Sequence, residues 1–185
     1  MKIGITGHSD GIGNDIYLNL IKEYDVIGFS RSNGYDIKNT DKIIEQLDNC
    51  DVFINNAYEK NYQTILFELL FDKWVFSSKT IINMVSSCVY HSSDWSPEYA
   101  NNKKELKNIS LNRIENTKNK KVRVINLYPS TLSTHKNFEN LNKLDTEHLA
   151  KIINWLVKQP QEIEIREMSI YSTTNEKEFK VNKLI

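Results

Sequence analysis

The sequence predicts an α/β protein whose mainly parallel sheet has roughly six or seven strands, with helices on both faces. Short apolar stretches alternate with amphipathic helical patterns, a glycine-rich turn follows the first stretch, and no internal repeat or low-complexity linker interrupts the series. Continuous apolar strands that alternate with helices are typical of a parallel sheet that is covered on both faces. The 185 residues suit a single domain, 1–185, with a core of its own.

The first unit combines a strand, a glycine-rich turn and a helix. Apolar residues 2–5 lead into the turn Thr6-Gly7-His8-Ser9-Asp10-Gly11-Ile12-Gly13, and a helical pattern follows it. Glycines let the backbone turn tightly and approach a pyrophosphate, while free N–H groups and the helix dipole favour negative charge. Because the turn stands between a predicted strand and a predicted helix, it indicates a Rossmann-type, doubly wound nucleotide site.

The next elements continue the alternation. A second strand is predicted at residues 25–30, and a turn-like run follows it. No room is left for a helix before Asp36, so we expect a central first strand and a third strand that is only a stub. A helix is predicted at 40–47, where apolar residues share one face, and a short buried strand is predicted at 52–54.

The second half of the chain repeats this order. A helix is predicted at 63–76 from an inward apolar face that includes Leu69. Serine and then proline at positions 96 and 97 predict the start of a helix over 97–116. The other predicted elements are strands at 80–85, 122–127 and 164–171 and an amphipathic helix at 146–158.

Composition excludes several classes of protein. Lys plus Arg and Asp plus Glu both number 24, which gives no argument for nucleic acid or an anionic membrane. No stretch approaches the roughly 20 apolar residues of a membrane span, and the first residues already read as a strand. Neither Cys50 and Cys88 nor the histidines have metal-ligand spacing, so we expect no metal and a reduced, cytoplasmic protein.

A tyrosine and a lysine form the second chemical signal. Tyr99 and Lys103 stand four residues apart in a predicted helix, so the phenol and the ammonium share one face. A nearby cation favours the phenolate, and such a tyrosine can exchange a proton with a reacting oxygen. Ser86 ends a predicted strand, and ligands bind outside the carboxyl ends of the strands in such sheets. We therefore expect Ser86, Tyr99 and Lys103 to meet at one site.

Taken together, these motifs resemble the short-chain dehydrogenase/reductase family, from residue 2 to about residue 172. The glycine-rich turn is the first of them, and the others follow in the family's order. They are Asp36-Ile37, Asn55-Asn56-Ala57, Ile82-Asn83-Met84-Val85-Ser86, Tyr99-x-x-x-Lys103 and Pro129-Ser130-x-Leu132-x-Thr134.

The resemblance implies roles for the catalytic candidates. Tyr99 would be the general acid/base, and Lys103 would lower its pKa and bind the nicotinamide ribose. Ser86 would form a hydrogen bond with the substrate oxygen. Ser87 is the rival for this role, but alternation along a strand puts it on the opposite face. Counting back from Ser86 suggests Asn61 as the family's helical asparagine, the fourth catalytic residue.

The resemblance also implies a cofactor cleft. Asp36 and Ile37 would contact the adenine, and Thr134 would hold the nicotinamide carboxamide. The full set of expected cofactor residues is Gly7, Ser9, Gly11, Ile12, Gly13, Arg31, Ser32, Asp36, Ile37, Asn56, Ala57, Tyr99, Lys103, Pro129 and Thr134.

The end of the second strand predicts which cofactor binds. An acidic residue there favours the ribose hydroxyl of NAD(H), whereas a basic one accommodates the 2′-phosphate of NADP(H). Here Arg31 follows the strand, with Ser30 and Ser32 beside it and no carboxylate before Asp36. Asp10 in the glycine-rich turn argues modestly against a phosphate. The sequence therefore predicts NADP(H), with NAD(H) as the alternative.

The sequence predicts an NAD(P)-dependent oxidoreductase that acts on a small carbonyl or alcohol substrate. A nucleotide-binding or regulatory protein with little turnover is the alternative, because the chain departs from the family's pattern. It is shorter than usual, Ala57 lacks the glycine that usually follows it, and Ser130 replaces a glycine. A sugar-nucleotide epimerase or dehydratase would need a substrate domain for which this length leaves no room.

The family commonly pairs subunits through two helices, which correspond here to 63–76 and 97–116. Phe67, Phe71 and Phe76 lie beyond the predicted inward face of the first helix and would give it an apolar surface. We therefore expect a homo-oligomer that binds a small molecule and neither nucleic acid nor membrane.

Overall fold

Strands and α-helices alternate along the chain in the computed structural model, which describes residues 1–90, 96–133 and 143–173. The strands in these ranges are β1 (Lys2–Thr6), β2 (Asp25–Phe29), β3 (Val52–Asn55), β4 (Thr80–Met84), β5 (Arg123–Pro129) and β6 (Glu167–Ile170). The α-helices are α1 (Gly11–Leu20), α2 (Thr40–Gln46), α3 (Tyr62–Trp74), α4 (Pro97–Asn116) and α5 (Thr146–Val157).

The six strands form one entirely parallel sheet in the order β2-β1-β3-β4-β5-β6. The predicted class, a parallel sheet with helices on both faces, is confirmed. The predicted stub after β2 is wrong, because residues 30–39 form the 3-10 helix Arg31–Asn33 and turns. As a consequence, β2 is an edge strand and β1 lies second from that edge, not at the centre.

Each face of the sheet has its own core. Alternate residues of a strand point to opposite faces, so Ile81 and Ile82 of β4 belong to different clusters. The cluster with Ile81 contains apolar residues of α2, α3 and α4. The cluster with Ile82 contains residues of α1 and α5. Because all strands run in one direction, their carboxyl ends meet at one edge of the sheet.

The surface of α3 differs from the sequence expectation. Phe67 and Phe71 are completely buried, whereas Leu69, which was expected to face inward, is 41% exposed. The reason is that α3 packs against the sheet, α2 and α4 together, so it buries more than one stripe. Two of the three phenylalanines expected at a subunit interface therefore belong to the core. Among the described helices, none combines the length and hydropathy that a bilayer span requires.

Candidate active site

The glycine-rich turn is shaped by close backbone contacts. Gly7 has φ +74°, a conformation that glycine adopts without strain. A Cβ atom on Gly13 would lie 2.0 Å from the carbonyl oxygen of Gly7, so no side chain fits there. These glycines bring the first turn of α1 directly under the end of β1. The N-terminus of α1 therefore lies where the sequence predicted an anion site, and the N–H groups of a helix start are of the kind that bind anions.

A threonine joins the ends of β1 and β3. The Thr6 hydroxyl accepts hydrogen bonds from the backbone N–H groups of Asn56 and Ala57, both at 3.0 Å. The Asn56 amide in turn donates to the Thr6 carbonyl at 2.9 Å. These three bonds hold the loop after β3 against the glycine-rich turn. They explain why two motifs about fifty residues apart in the chain line one cleft.

The cleft is a cavity of about 670 Å³ at the carboxyl edge of the sheet. Most of the predicted cofactor residues line it: Gly7, Ser9, Gly11, Ile12, Gly13, Arg31, Ser32, Asp36, Ile37, Asn56 and Ala57. An adjacent cavity of about 140 Å³ is lined by the predicted residues Ser86, Tyr99, Lys103 and Pro129. Thr134 lies outside the described residues.

The two cavities form one groove. Ile12, Asn56, Tyr58 and Leu132 line both of them, so the large cavity continues into the small one. The large cavity runs from the glycine-rich turn to Arg31, and the small one contains the tyrosine and the lysine. The groove is therefore extended, with the glycine-rich turn along the large cavity and the tyrosine and the lysine in the small one.

Hydroxyls and a guanidinium mark the far end of the large cavity. Arg31 is exposed, lines the cavity and forms no ion pair with any described residue. The hydroxyls of Ser30 and Ser32 lie 2.7 Å apart, and the Asn33 side chain accepts from the Ser30 backbone N–H at 2.9 Å. A turn held in this way can present Arg31 and two hydroxyls to an anion.

Asp10 has a structural role at the same turn. It is the N-cap of α1, and its carboxylate accepts a hydrogen bond from the Gly11 N–H at 2.7 Å. This hydrogen bond uses one of the free N–H groups at the start of the helix, which would otherwise be available to a phosphate. It also lines the large cavity, so it adds a negative charge there.

Ser86 has an unusual backbone conformation. Its φ of 141° and ψ of 148° lie in a region that residues other than glycine rarely adopt. The Ser86 side chain accepts a hydrogen bond from the Cys88 N–H at 3.2 Å and caps the 3-10 helix Ser87–Val89. Backbone strain of this kind occurs most often at functional sites. Its rival Ser87 does not line the small cavity.

Tyr99 lies at the start of α4, where the Ser96 hydroxyl accepts a hydrogen bond from its backbone N–H at 3.3 Å. Burial is the largest cause of a raised pKa for the Tyr99 phenol, and a hydrogen bond with the Ser86 side chain works against the rise. The sequence led us to expect a lowered pKa. In the protein alone, burial dominates the pKa of this phenol.

Lys103 is one turn further along α4 and only 3% exposed. Its ammonium donates to the Gln63 side-chain oxygen and to the Met84 carbonyl, both at 2.7 Å. It lies 5.5 Å from the centre of the Tyr99 ring. Burial lowers the pKa of Lys103 from 10.5 to about 7. In the protein alone, this lysine is therefore charged only in part at neutral pH, which weakens its effect on the neighbouring phenol.

A row of buried amides extends from this lysine across the sheet. Asn55, Asn83 and Asn126 are paired residues on β3, β4 and β5, and each is completely buried. The amide of Asn55 donates to Asn83, and that of Asn83 donates to Asn126, both at 3.1 Å. Asn55 also forms hydrogen bonds with Gln63, and Gln63 in turn contacts Lys103, so the row is connected to the lysine. The lysine is thus anchored to a polar network inside the sheet.

Sequence reasoning missed three residues of the site. Gln63 contacts Lys103, whereas Asn61 is exposed at the start of α3. Tyr58 packs against Tyr99 and lines both cavities. The Ser130 hydroxyl, in the wall of the small cavity, is buried and has no partner among the described residues. Positions 58 and 130 were visible only as departures from the family's glycines. No group of metal ligands occurs among the described residues.

Comparison with known proteins gives one result for the sequence and another for the structure. No protein-family model and no curated protein matches the sequence. Solved structures do match. The serine dehydrogenase from Escherichia coli is 18% identical, with 95% of this chain and 99% of that chain covered and a TM-score of 0.75.

Two further structures have the same architecture. The alcohol dehydrogenase from the archaeon Thermococcus sibiricus, complexed with 5-hydroxy-NADP, is 17% identical, with 95% and 98% of the chains covered and a TM-score of 0.70. A short-chain dehydrogenase/reductase from Vibrio parahaemolyticus is 16% identical, with 91% and 98% covered and a TM-score of 0.69. The chain therefore has the fold of the short-chain dehydrogenases/reductases, as its motifs predicted.

Proposed function

We propose that this protein is an NAD(P)-dependent oxidoreductase of the short-chain dehydrogenase/reductase family. It transfers hydride between a nicotinamide cofactor and the carbon of a small carbonyl or alcohol substrate. The observation that carries the proposal is the small cavity, where Ser86, Tyr99 and Lys103 lie together at the end of the dinucleotide-sized cleft. A protein that only binds a nucleotide has no need of these three groups at one point.

The residues divide the work of carbonyl reduction. A bound nicotinamide cofactor would supply the hydride for the new C–H bond. The Tyr99 hydroxyl gives its proton to the carbonyl oxygen. Because burial raises the Tyr99 pKa, the phenol stays protonated at neutral pH and is ready to act as the acid. Ser86 donates a hydrogen bond to the same oxygen. Lys103 uses two of its three N–H donors within the protein and keeps one for a ribose hydroxyl.

We propose NADP(H) as the preferred cofactor, and the residues at one end of the large cavity support this choice. The Arg31 guanidinium and the hydroxyls of Ser30 and Ser32 surround the end of the large cavity. A guanidinium can form paired, charge-assisted hydrogen bonds with a phosphate. Asp10 and Asp36 also line this cavity, and their charges are the reason to keep NAD(H) as the alternative.

A nucleotide-binding or regulatory protein with little turnover is the second candidate. The small cavity of about 140 Å³ supports it, because the Tyr58 ring occupies space that a glycine would leave open. Ser86, Tyr99 and Lys103 are all present at this cavity, so we favour the enzyme.

Further proposals concern the protein's surroundings. We expect a cytoplasmic protein with a small-molecule substrate and no nucleic-acid partner. Pairing of subunits through α3 and α4 rests on fewer residues than the sequence suggested. Leu69 on α3 and Phe76 just after it are the exposed apolar residues of that segment, at 41% and 67% exposure. Light scattering at micromolar concentration tests this, and a monomeric mass contradicts it.

Cofactor titration and turnover test the function. The purified protein is titrated with NADPH and NADH by fluorescence, and we expect tighter binding of NADPH. It is then incubated with NADPH and a panel of small ketones, aldehydes and pterins while the absorbance of the reduced nicotinamide is followed. Oxidation of NADPH with at least one substrate supports the enzyme. Binding without turnover across the panel favours the second candidate, and absence of binding contradicts both.

A further inference from the structure

We propose that Gln63 is the positioning residue of Lys103, which rests on the function proposed for Tyr99 and Lys103. The side-chain oxygen of Gln63 accepts a hydrogen bond from the Lys103 ammonium at 2.7 Å. The second acceptor is the carbonyl of Met84, also at 2.7 Å, and Met84 is the last residue of β4, two positions before Ser86. These two oxygens fix the ammonium between α3 and β4.

The side chain of Gln63 is itself held rigidly. Its side-chain N–H₂ group donates to the carbonyls of Asn55 and Met84, at 2.6 Å and 3.1 Å. Its backbone carbonyl accepts from the Asn55 amide at 2.9 Å. Gln63 is 2% exposed. Because both amide hydrogens have acceptors, the oxygen is left to face Lys103, and the opposite orientation of the amide is excluded.

The surroundings of Lys103 make this contact important. No described carboxylate forms an ion pair with the ammonium. The titratable groups that face it are Cys88 after β4, Tyr58 after β3 and Tyr99 on its own helix. Burial raises the pKa of the Cys88 thiol and of the Tyr99 phenol, so neither places a negative charge beside the ammonium at pH 7. The two amide-type oxygens are therefore the main groups that stabilise the charged form of a fully buried lysine.

Gln63 thus replaces Asn61 as the candidate for a fourth residue. Asn61 is exposed at the start of α3, and its side chain makes no capping hydrogen bond there. Gln63 lies two positions further on, on the buried side of the same first turn. Its contact is made by the side chain, so substitution at this position can remove the contact without changing the backbone.

Two substitutions change the contact in opposite senses. Gln63→Met keeps the length and removes both the acceptor and the donors, so it should lower the Lys103 pKa further. Gln63→Glu keeps the shape and places a carboxylate against the ammonium, so it should raise that pKa. Gln46→Met, at the exposed end of α2, is the matched control.

The first readout is the free energy of unfolding as a function of pH, which needs no turnover. The Lys103 pKa is about 7 in the folded protein and 10.5 ordinarily, so the unfolded chain binds more protons between these values. Stability contributed by this residue therefore rises with pH above 7. The variants are compared from pH 6 to 8. This range lies below most of the titration of the cysteine thiols in the unfolded chain, and all variants contain the same thiols.

The expected profiles differ by variant. The rise with pH seen in the wild type should begin at a lower pH in Gln63→Met and should flatten in Gln63→Glu. Gln46→Met should match the wild type. Profiles that coincide for all four proteins overturn the proposal. If Gln63→Met does not fold, Gln63→Glu alone decides the question, because a profile equal to that of the wild type contradicts the inference.

The second readout is NADPH binding at pH 7.5, followed by fluorescence. We expect about tenfold weaker binding for Gln63→Met, since loss of one hydrogen bond to a charged group has about this effect. Gln63→Glu should keep most of the wild-type affinity for NADPH, because the Lys103 ammonium stays charged beside the new carboxylate. If Gln63 had only a structural role, the two variants would not differ in NADPH affinity in this way. The positioning role is overturned if both variants have altered stability profiles but bind NADPH as the wild type does. Absence of turnover in the wild type contradicts only the proposed function.

Discussion

The ring of Tyr58 lies edge-on against the ring of Tyr99, with 4.8 Å between the centroids and 72° between the planes. The Tyr58 hydroxyl accepts a hydrogen bond from the Asn102 side chain at 3.0 Å, which ties the ring to α4. Tyr58 is one of the four residues that line both cavities, so it belongs to the region where they meet. The size of this side chain therefore limits the space beside the Tyr99 phenol.

Shortening Tyr58 should broaden the range of substrates. For Tyr58→Gly we expect kcat/KM for a bulky ketone, relative to a small one, to rise about tenfold, since packing differences in a pocket are typically worth 10- to 200-fold. Steady-state kinetics with a matched pair of ketones measures the ratio. Tyr58→Phe keeps the ring and should retain the wild-type ratio. An unchanged ratio in Tyr58→Gly means that this ring does not limit the substrate.

Tyr99→Phe should abolish most turnover and leave cofactor binding nearly intact. The substitution keeps the ring and removes the proton donor, and general acid catalysis contributes about 10²- to 10⁴-fold. NADPH titration and steady-state kinetics on the same sample separate the two effects. Lys103→Ala should weaken both, because the ammonium serves the phenol and the ribose. Tyr90→Phe, an exposed tyrosine outside both cavities, is the control. Near-normal turnover of Tyr99→Phe would exclude this phenol as the acid.

Ser86→Gly should lose turnover and gain stability. Glycine adopts the φ of 141° at Ser86 without strain, and such strain is worth about 1–3 kcal/mol. The greater freedom of glycine in the unfolded chain and the loss of the Ser86 hydrogen bond with the Cys88 N–H offset part of this, so we expect a small net gain, up to about 1 kcal/mol, in the free energy of unfolding. Urea denaturation measures it. Ser86→Ala should lose turnover without the gain, and Ser87→Gly, within a 3-10 helix, should be destabilised. A loss of stability in Ser86→Gly argues against strain at this position.

Arg31→Ala should erase most of the preference for NADPH. A hydrogen bond to a charged group contributes about 1.5–3 kcal/mol, so we expect NADPH affinity to fall roughly 10- to 100-fold while NADH affinity changes little. Titration of both cofactors measures the ratio. Arg166→Ala, which removes a guanidinium that pairs with Glu164, is the control. Equal affinities of the wild type for the two cofactors would contradict the choice of NADP(H) and leave the fold untouched.

Local signals account for the parts of the protein that the sequence predicted well. The glycine-rich turn, the serine cap and proline of α4, and the apolar strands each depend on residues that are close in the chain. The position of the cleft was predictable because parallel strands bring their carboxyl ends to one edge whatever the details of packing. For this reason Ser86, Tyr99 and Lys103 could be assigned to one site before their distances were known.

Contacts between distant elements could not be predicted in this way. Gln63 reads as a polar residue at a helix start, and only the packing of α3 beside α4 brings it to Lys103. Phe67 and Phe71 read as surface residues because a single inward stripe was assumed, whereas α3 is covered from more than one side. The rise in the Tyr99 pKa likewise depends on burial, which no spacing of residues reveals.

The asparagines of β3, β4 and β5 have a consequence for how these strands find their partners. The strands are rich in isoleucine and valine, so apolar contacts alone distinguish poorly between one alignment and its neighbours. A slip by one residue would turn an amide toward the layer of Ile54 and Ile82 and leave it unpaired, at a cost of about 1–3 kcal/mol. The correct alignment pairs Asn55 with Asn83 and Asn83 with Asn126. The buried amides thus favour this alignment over its neighbours, and in this alignment Lys103 and Ser86 line the same small cavity.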